Sequence, residues 1–140
     1  MDIQDINARR GIAQLALKGF FSLANRWQLT RPEAMTLLGL TATSTYANWK
    51  NSKTGTLPRD TLERISYLLS MDETLKLTHK TDTAAIQWLR QPSTLLQDLS
   101  PLAHMLRGNV VDLYYIRSNL GPLLENDAHL MKHARIQENN

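Results

Sequence analysis

The sequence predicts an all-α protein, because apolar residues recur at helical spacing along most of its length and no segment alternates in the manner of a strand. Its 140 residues suffice for one domain or two small subdomains. The chain has no cysteine, which excludes a disulfide framework and thiolate chemistry. No apolar run reaches the roughly 18–20 residues of a membrane span, and MDIQDINARR is not a signal peptide. We therefore expect a soluble, cytoplasmic protein with no membrane partner.

Charge divides the chain into two regions. Residues 1–71 carry nine basic and five acidic side chains, a net charge of +4, whereas residues 72–140 carry seven and eight, a net charge of −1. A basic first region and a nearly neutral second region predict two surfaces with different partners. We expect a join near residues 72–82, so that the chain comprises a region 1–71, a helical region 72–120 and a C-terminal extension or tail 121–140.

Capping signals and periodicity place the helices of the first region. The buried stripe of the first helix is predicted to be Ile12, Leu15, Ala16, Gly19, Phe20, Leu23 and Trp27. Thr30-Arg31-Pro32-Glu33 has the capping-box spacing, and the short helix that it begins should end at Gly39. Hydroxyls in TATSTYANWKN can cap a third helix, with Tyr46 and Trp49 turned inward. The longest helix should run from Pro58 to about residue 78.

The second region contains three further predicted helices. DTAAIQWLR, residues 82–90, should end before Pro92. Ser100 and Pro101 begin the next helix, Gly108 closes it, and Asn109 can cap the last one. From residue 121 onward the helical pattern weakens.

Residues 30–51 have the layout of a helix-turn-helix, in which one helix braces the DNA backbone and the next lies in the major groove. The candidate DNA-binding residues are Thr43, Ser44, Thr45, Asn48, Lys50 and Lys53. Asn48 can pair with adenine in a bidentate manner, and the two lysines can reach phosphates. Arg31 and Arg59 are lesser phosphate candidates. The alternative is a helical hairpin within a bundle, with hydroxyls that cap and lysines that are solvated.

Three motifs in order carry a resemblance to a known family: RDTLERISYLL, AIQWLRQPS and SPLAHMLRGNVVDLYYIRSNL. Together they resemble the Xre/MbcA/ParS-type antitoxins of bacterial type II toxin–antitoxin modules, over most of residues 30–120. Trp88, Leu89 and Pro92 match the second motif. The third is matched by Ser100, Pro101, Leu102, Met105, Gly108, Val110, Asp112 and Leu113.

The resemblance implies a cytoplasmic antitoxin paired with a RES-domain toxin that attacks NAD. In such a module the C-terminal domain of the antitoxin covers the toxin's active site and dimerises, and the complex represses its operon by binding operator DNA. The expected partners are thus a toxin, operator DNA and further copies of the chain. The residues expected at the toxin interface are Ser100, Pro101, Leu102, Met105, Arg107, Val111, Tyr115 and Arg117.

The last motif helix is apolar on more than one side. Val110, Leu113, Tyr114 and Arg117 form one stripe, and Val111 and Tyr115 form another, so that one face can be buried and the other left for a partner. The alternative is that both stripes belong to the core of a small bundle. Residues 121–140 either extend toward the toxin or wrap a dimer, or they are a disordered terminus.

Catalytic and metal sites are not predicted. His129 and His133 have the i, i+4 spacing of zinc ligands, but no third ligand and no glutamate of the H-E-x-x-H pattern accompany them. No phosphate-binding loop, cofactor motif or activated nucleophile is evident. Besides the antitoxin, two functions remain open: a stand-alone helix-turn-helix repressor whose C-terminal half dimerises, and a protein-interaction module that has lost DNA binding.

Overall fold

The computed structural model describes residues 2–126, which form helices joined by short connections, with no strand among them. The all-α prediction is confirmed. Seven α-helices are α1 (Ile3–Arg26), α2 (Arg31–Leu38), α3 (Thr43–Lys50), α4 (Arg59–Thr78), α5 (Asp82–Arg90), α6 (Pro101–Met105) and α7 (Val110–Ser118). A short 3-10 turn, Thr94–Leu96, lies between α5 and α6, and residues 120–126 are again helical. Within the described part of the chain, no helix is long and apolar enough to cross a bilayer.

The first helix begins earlier than the sequence pattern indicates. Asp2 caps it by accepting a hydrogen bond from the backbone N–H of Gln4, and at 24 residues α1 is longer than α4, which has 20. The prediction that the helix after Pro58 is the longest was therefore wrong. Apolar spacing carries little weight in the first two turns of α1 because that part of the helix is largely exposed.

The buried stripe of α1 is shifted relative to the predicted one. Ile12 and Leu15 are 56% and 72% exposed, while Ala13 and Leu17 are buried. Phe20, Leu23 and Trp27 were placed correctly, since all three are buried. Both stripes fit a helical period, and they differ by a small rotation about the helix axis. In the structure Ala13 and Leu17 face inward, and α1 packs chiefly against α4.

The capping signals around α2 act as predicted. Thr30 Oγ1 accepts from the backbone N–H of Glu33 at 3.3 Å, and Glu33 Oε1 accepts from the backbone N–H of Thr30 at 2.8 Å. At the other end Gly39 has φ +76°, the left-handed conformation that closes a helix. The four residues 39–42 then connect α2 to α3.

Helix α4 forms the centre of the fold. It packs against α1 on one side and α7 on the other, and Leu68 and Met71 are fully buried between its neighbours. The predicted division between residues 71 and 72 falls inside this helix. The two regions therefore share α4 as a common structural element.

The end of α1 is bound to the middle of α4 through a buried carboxylate. Asp72 Oδ1 accepts from the indole Nε1 of Trp27 at 2.9 Å, and Asp72 Oδ2 accepts from Arg26 and lies 3.4 Å from Lys76 Nζ. A buried charge is tolerated where it is paired and hydrogen-bonded. This cluster fixes the position at which α1 ends and the chain turns into α2.

The caps of the second region also form. Thr81 and Ser100 accept from the backbone N–H groups of Ala84 and Ala103, at 3.1 and 3.0 Å, and thereby cap α5 and α6. Gly108, with φ +96°, separates α6 from α7. At the start of α7, Asp112 Oδ2 accepts from the backbone N–H of Asn109 at 3.2 Å. The predicted helix starts after Thr81, Ser100 and Asn109 are confirmed, and so is the end of α5 before Pro92, whereas α6 ends at Met105, before the predicted Gly108.

Candidate functional site

The outer surface of α3 carries the residues predicted to read bases. Ser44 and Asn48 are exposed, as is Thr43 at the first position, whereas Thr45 is half-buried at the edge of this surface. Their hydroxyls do not cap the helix, contrary to expectation. The N-cap position is Ala42, where no side chain accepts a hydrogen bond. Thr43 and Ser44 are thus exposed residues that do not cap α3.

Lys50 and Lys53 lie at and just beyond the end of α3, and both are exposed. A lysine in this position is free to meet a phosphate while residues earlier in the helix face the groove. Arg59, at the start of α4, is exposed as well. The predicted DNA-binding side chains are therefore concentrated on α3 and the loop after it.

Aromatic contacts hold α3 in place. The ring of Tyr46 is buried and meets that of Phe21 of α1 edge to face, with centroids 5.6 Å apart. Arg31 lies with its guanidinium carbon 5.5 Å from the centroid of Tyr46 and its Nη2 3.5 Å from the carbonyl oxygen of Thr43. Arg31 thereby links the first turn of α2 to the first turn of α3. Trp49, which was predicted to lie in the core, is half-buried and packs against the hydrophobic core.

A second exposed surface lies on α7, and its three large side chains form what we call the α7 face: Val111, Tyr114 and Tyr115. They are 61%, 50% and 45% exposed. The ring of Tyr115 stacks on the imidazole of His104 with centroids 5.2 Å apart, and that of Tyr114 meets Tyr67 of α4 edge to face at 5.7 Å. The two tyrosines are thus held in place while one side of each stays open to solvent.

The buried side of α7 differs from the predicted stripe. Leu113 and Ile116 are fully buried, and Asp112 is buried beside them, whereas Tyr114 and Arg117 are exposed. Grouping Tyr114 and Arg117 with Leu113 was therefore wrong. Leu113, Ile116 and Leu120 have the i, i+3, i+7 spacing that would have identified the inner face. The prediction that the helix leaves an apolar face exposed is nevertheless confirmed.

Half of the residues expected at a toxin interface are buried or hold the start of α6 in place. Leu102 and Met105 are 2% and 0% exposed, and Pro101 is buried in the first turn of α6. A partner cannot touch these side chains in the folded chain, so their expected direct contact is corrected to a role in holding α6 against its neighbours. Ser100 is half-buried and engaged as the N-cap of α6.

The remaining residues of that set are exposed. Val111 and Tyr115 belong to the α7 face, and Arg107 and Arg117 are exposed on α7 or the turn before it. The expected interface set did not include Tyr114, which belongs to the α7 face, or Tyr67, whose ring contacts that of Tyr114. The hydroxyl of Tyr67 donates to Glu63 Oε1 at 2.6 Å, and this hydrogen bond is the main cause of the raised pKa of Tyr67.

A histidine lies directly beneath the α7 face. His104 is buried, and its Nε2 is 3.8 Å from Asp112 Oδ1, which also lies 3.7 Å from Nε of Arg107. Burial and the positive charge of Arg107 lower the pKa of His104, and the charge of Asp112 opposes this shift only in part. The neutral imidazole that results is suited to stacking under Tyr115.

No group of three histidine, aspartate or glutamate side chains within residues 2–126 is arranged to hold a metal ion. The pair His129 and His133, considered as zinc ligands from their spacing, lies outside the described residues. So does most of the C-terminal extension, residues 127–140.

Sequence comparison with known proteins identifies relatives of this chain. Residues 8–70 match the family described as the antitoxin Xre-like helix-turn-helix domain. The chain is also 39% identical over 104 residues to the protein named "Uncharacterized protein y4oB" of Sinorhizobium fredii (strain NBRC 101917 / NGR234), an alignment that covers 74% of this chain and 80% of that protein. No solved structure matches the chain significantly. The chain therefore belongs to the same family as the Sinorhizobium protein and carries an antitoxin Xre-like helix-turn-helix domain.

Proposed function

We propose that the chain is the antitoxin of a type II toxin–antitoxin module. In this proposal it neutralises a RES-domain, NAD-degrading toxin by covering the toxin's active site, and it represses its own operon by binding operator DNA. It acts in the cytoplasm as a dimer or as a larger complex with the toxin. Support comes from the family match for residues 8–70 and from the resemblance of the C-terminal motifs to those of Xre/MbcA/ParS-type antitoxins.

The exposed apolar surface on α7 is the observation on which the toxin-binding part depends most. Val111, Tyr114 and Tyr115 lie together in a short helix whose opposite side is fully buried. Tyrosine and arginine are enriched in protein interfaces, and rings already fixed by neighbours lose little entropy on binding. Arg107 and Arg117 border this surface. A protein that bound no partner at this surface would gain nothing from exposing these aromatic side chains to water.

The operator-binding part is supported by the surface of α3. Ser44 and Asn48 are exposed polar side chains on the helix that a helix-turn-helix inserts into the major groove, and Lys50 and Lys53 follow at its end. The net charge of +4 on residues 1–71 favours an anionic partner for this region rather than for the other.

Co-expression with the product of the adjacent gene tests the toxin-binding part. Growth and co-purification should be scored for the wild type, for Val111→Glu and for Leu77→Glu. Leu77 is an exposed leucine of α4 outside the α7 face, so Leu77→Glu makes a similar chemical change elsewhere. We expect the wild type and Leu77→Glu to restore growth and to retain the toxin, and Val111→Glu to do neither. A harmless neighbour, or full rescue by Val111→Glu, would contradict the proposal.

The second candidate is a stand-alone repressor in which the α7 face joins two copies of the chain. The exposed tyrosines of the α7 face suit the contact surface of a symmetric dimer as well as that of a toxin, and this observation favours the second candidate. Sedimentation of the purified chain distinguishes the two. If the adjacent gene product is not toxic and Val111→Glu converts a dimer to a monomer, the stand-alone repressor is the better description.

A further inference from the structure

The N-terminal end of α2 is bound to α5 by a bidentate ion pair. Arg90, the last residue of α5, donates from Nη1 to Glu33 Oε2 at 3.0 Å and from Nη2 to Glu33 Oε1 at 2.9 Å. Glu33 is the residue whose carboxylate also closes the capping box of α2 with Thr30. The hydrogen bonds from Arg90 are the largest cause of the lowered pKa of Glu33. The first turn of α2 is therefore held by a residue of the second region.

The C-terminal end of α2 is bound by a buried arginine. Arg64 of α4 donates from Nη1 to the carbonyl oxygen of Thr36 at 3.4 Å and from Nη2 to that of Gly108 at 2.9 Å, while Asp60 Oδ2 accepts from its Nε at 2.8 Å. Only 8% of the Arg64 side chain is exposed. A cation at this end also complements the partial negative charge of the helix terminus. One guanidinium thus joins the last turn of α2 to the turn between α6 and α7.

Helix α2 is the bracing helix of the helix-turn-helix, and only residues 39–42 separate it from α3. Arg31 of α2 also contacts the ring of Tyr46 and the carbonyl oxygen of Thr43, so we expect a shift of α2 to move the surface of α3. A binding surface tolerates errors of roughly 0.5 Å before its contacts weaken. The two arginines hold α2 from elements that lie outside the helix-turn-helix.

We propose that Arg64 and Arg90 are positioning residues for operator binding, which fix the two ends of α2 against α5 and the α6–α7 turn. This inference rests on the proposed binding of operator DNA. Arg64 is too buried to serve as a phosphate contact, and Arg90, with 42% of its side chain exposed, is occupied by its ion pair with Glu33. Both terminal nitrogens of Arg90 are engaged by Glu33. Their effect on DNA binding is exerted through the position of α2.

A double-mutant cycle on the ion pair tests the role of Arg90. The probe is a DNA duplex with the sequence immediately upstream of the gene for this chain, and the variants are Glu33→Gln, Arg90→Met and both together. The Glu33→Gln variant keeps the capping box, because the amide oxygen of glutamine still accepts from the backbone N–H of Thr30. We expect each single variant to weaken binding on the order of threefold to tenfold and the double variant to weaken it no further, as for two residues that act as one unit.

The salt dependence of binding separates positioning from direct contact. Loss of one phosphate contact lowers the slope of log affinity against log salt by about one. We expect Arg90→Met to weaken binding with an unchanged slope. Lys80→Met, which removes an exposed positive charge from the loop between α4 and α5, is the matched control and should leave affinity and slope as they are. A slope lowered by about one in Arg90→Met would overturn the proposal.

Arg64 is tested by Arg64→Lys and Arg64→Met, with thermal unfolding recorded for both. Lysine keeps the charge but cannot reach three acceptors in one plane. We expect Arg64→Lys to remain folded at the assay temperature and still bind DNA several-fold more weakly. If Arg64→Met does not fold, Arg64→Lys and the ion-pair variants still decide the result.

The outcomes distinguish this proposal from the proposed function. If the wild type does not bind the upstream duplex in preference to unrelated DNA, operator binding is wrong and the inference fails with it. If the wild type binds and the folded arginine variants bind equally well, operator binding stands and the positioning role alone is overturned.

Discussion

A Cβ atom added to Gly39 would lie 2.9 Å from Nε of Arg64 and 3.0 Å from its Cζ. Gly39 therefore meets two requirements at one position. Its φ of +76° closes α2, and its missing side chain leaves room for the guanidinium that binds the carbonyl oxygen of Thr36. The turn of the helix-turn-helix and the buried arginine of α4 depend on each other.

Gly39→Ala should destabilise the chain more than Gly108→Ala. Both glycines have positive φ, at +76° and +96°, so an alanine at either site costs about 1–2 kcal/mol of backbone strain. Only at Gly39 does the new methyl group also displace a buried side chain, whereas at Gly108 the nearest atom is 3.8 Å away. We expect an extra loss of about 1–3 kcal/mol in Gly39→Ala, measured by urea unfolding. Equal losses would show that Arg64 does not require the space.

Asp72 should be among the most sensitive polar positions. Replacing it with alanine leaves the indole N–H of Trp27 without its acceptor and Arg26 without its partner, which should cost about 3–5 kcal/mol of unfolding free energy. Lys76→Met removes only an exposed member of the cluster and should cost less than about 1 kcal/mol. Chemical denaturation measures both. A loss below about 1 kcal/mol for Asp72→Ala would mean that the cluster is not stabilising.

The stability of the chain should depend on pH through His104. Its pKa in the folded chain lies below the ordinary value of 6.5, chiefly because the imidazole is buried and secondly because Arg107 is near. Between these two pKa values the unfolded chain binds more protons than the folded chain, so the free energy of unfolding decreases as the pH falls through 6.5. The decrease ends below the lowered pKa, where both states are protonated.

Urea unfolding from about pH 8 to about pH 5 measures this dependence, with His104→Gln as the reference that lacks the group. The wild type should lose stability relative to His104→Gln as the pH falls. In Arg107→Met the NMR titration of His104 should move toward higher pH, because the positive charge that opposes protonation is gone. If His104 in the wild type titrates above pH 6.5, the expected lowering of its pKa by burial and Arg107 is wrong.

The residues of α3 should contribute to DNA binding in two distinguishable ways. Lys50→Met should weaken binding to all sequences and reduce the salt slope by about one. Asn48→Ala should leave the slope unchanged and cost about 1–3 kcal/mol of discrimination at one base pair. Titration of operator variants at several salt concentrations measures both effects. If Asn48→Ala binds every operator variant as the wild type does, Asn48 does not read a base.

Locally encoded features could be predicted from the sequence. The limits of α2 follow from Thr30, Glu33 and Gly39, whose caps involve residues at most four positions apart. The starts of α5 and α6 follow in the same way from Thr81 and Ser100. Such signals depend on side-chain chemistry next to a helix end, which the sequence displays directly.

Contacts between distant residues could not be predicted. Arg90 and Glu33 are 57 positions apart, and Arg64 and Gly108 are 44 apart, so nothing in either local pattern indicates the partner. The rotation of α1 was misjudged for a related reason. Ile12 is the more apolar choice beside Ala13, but the alanine is the buried residue, because the rotation of α1 is set by its packing against other helices. Both arginines lie in motifs that carried the family resemblance, and this was the one available indication of their importance.

The separation of two activities tests the central claim most directly. Growth in the presence of the adjacent gene product and expression from the chain's own promoter should be measured in the same cells for Asn48→Ala/Lys50→Ala and for Val111→Glu. We expect the first variant to neutralise the toxin but no longer repress, and the second to repress but no longer neutralise. If either variant is folded and loses both activities, the assignment of DNA to α3 and of the toxin to the α7 face is wrong.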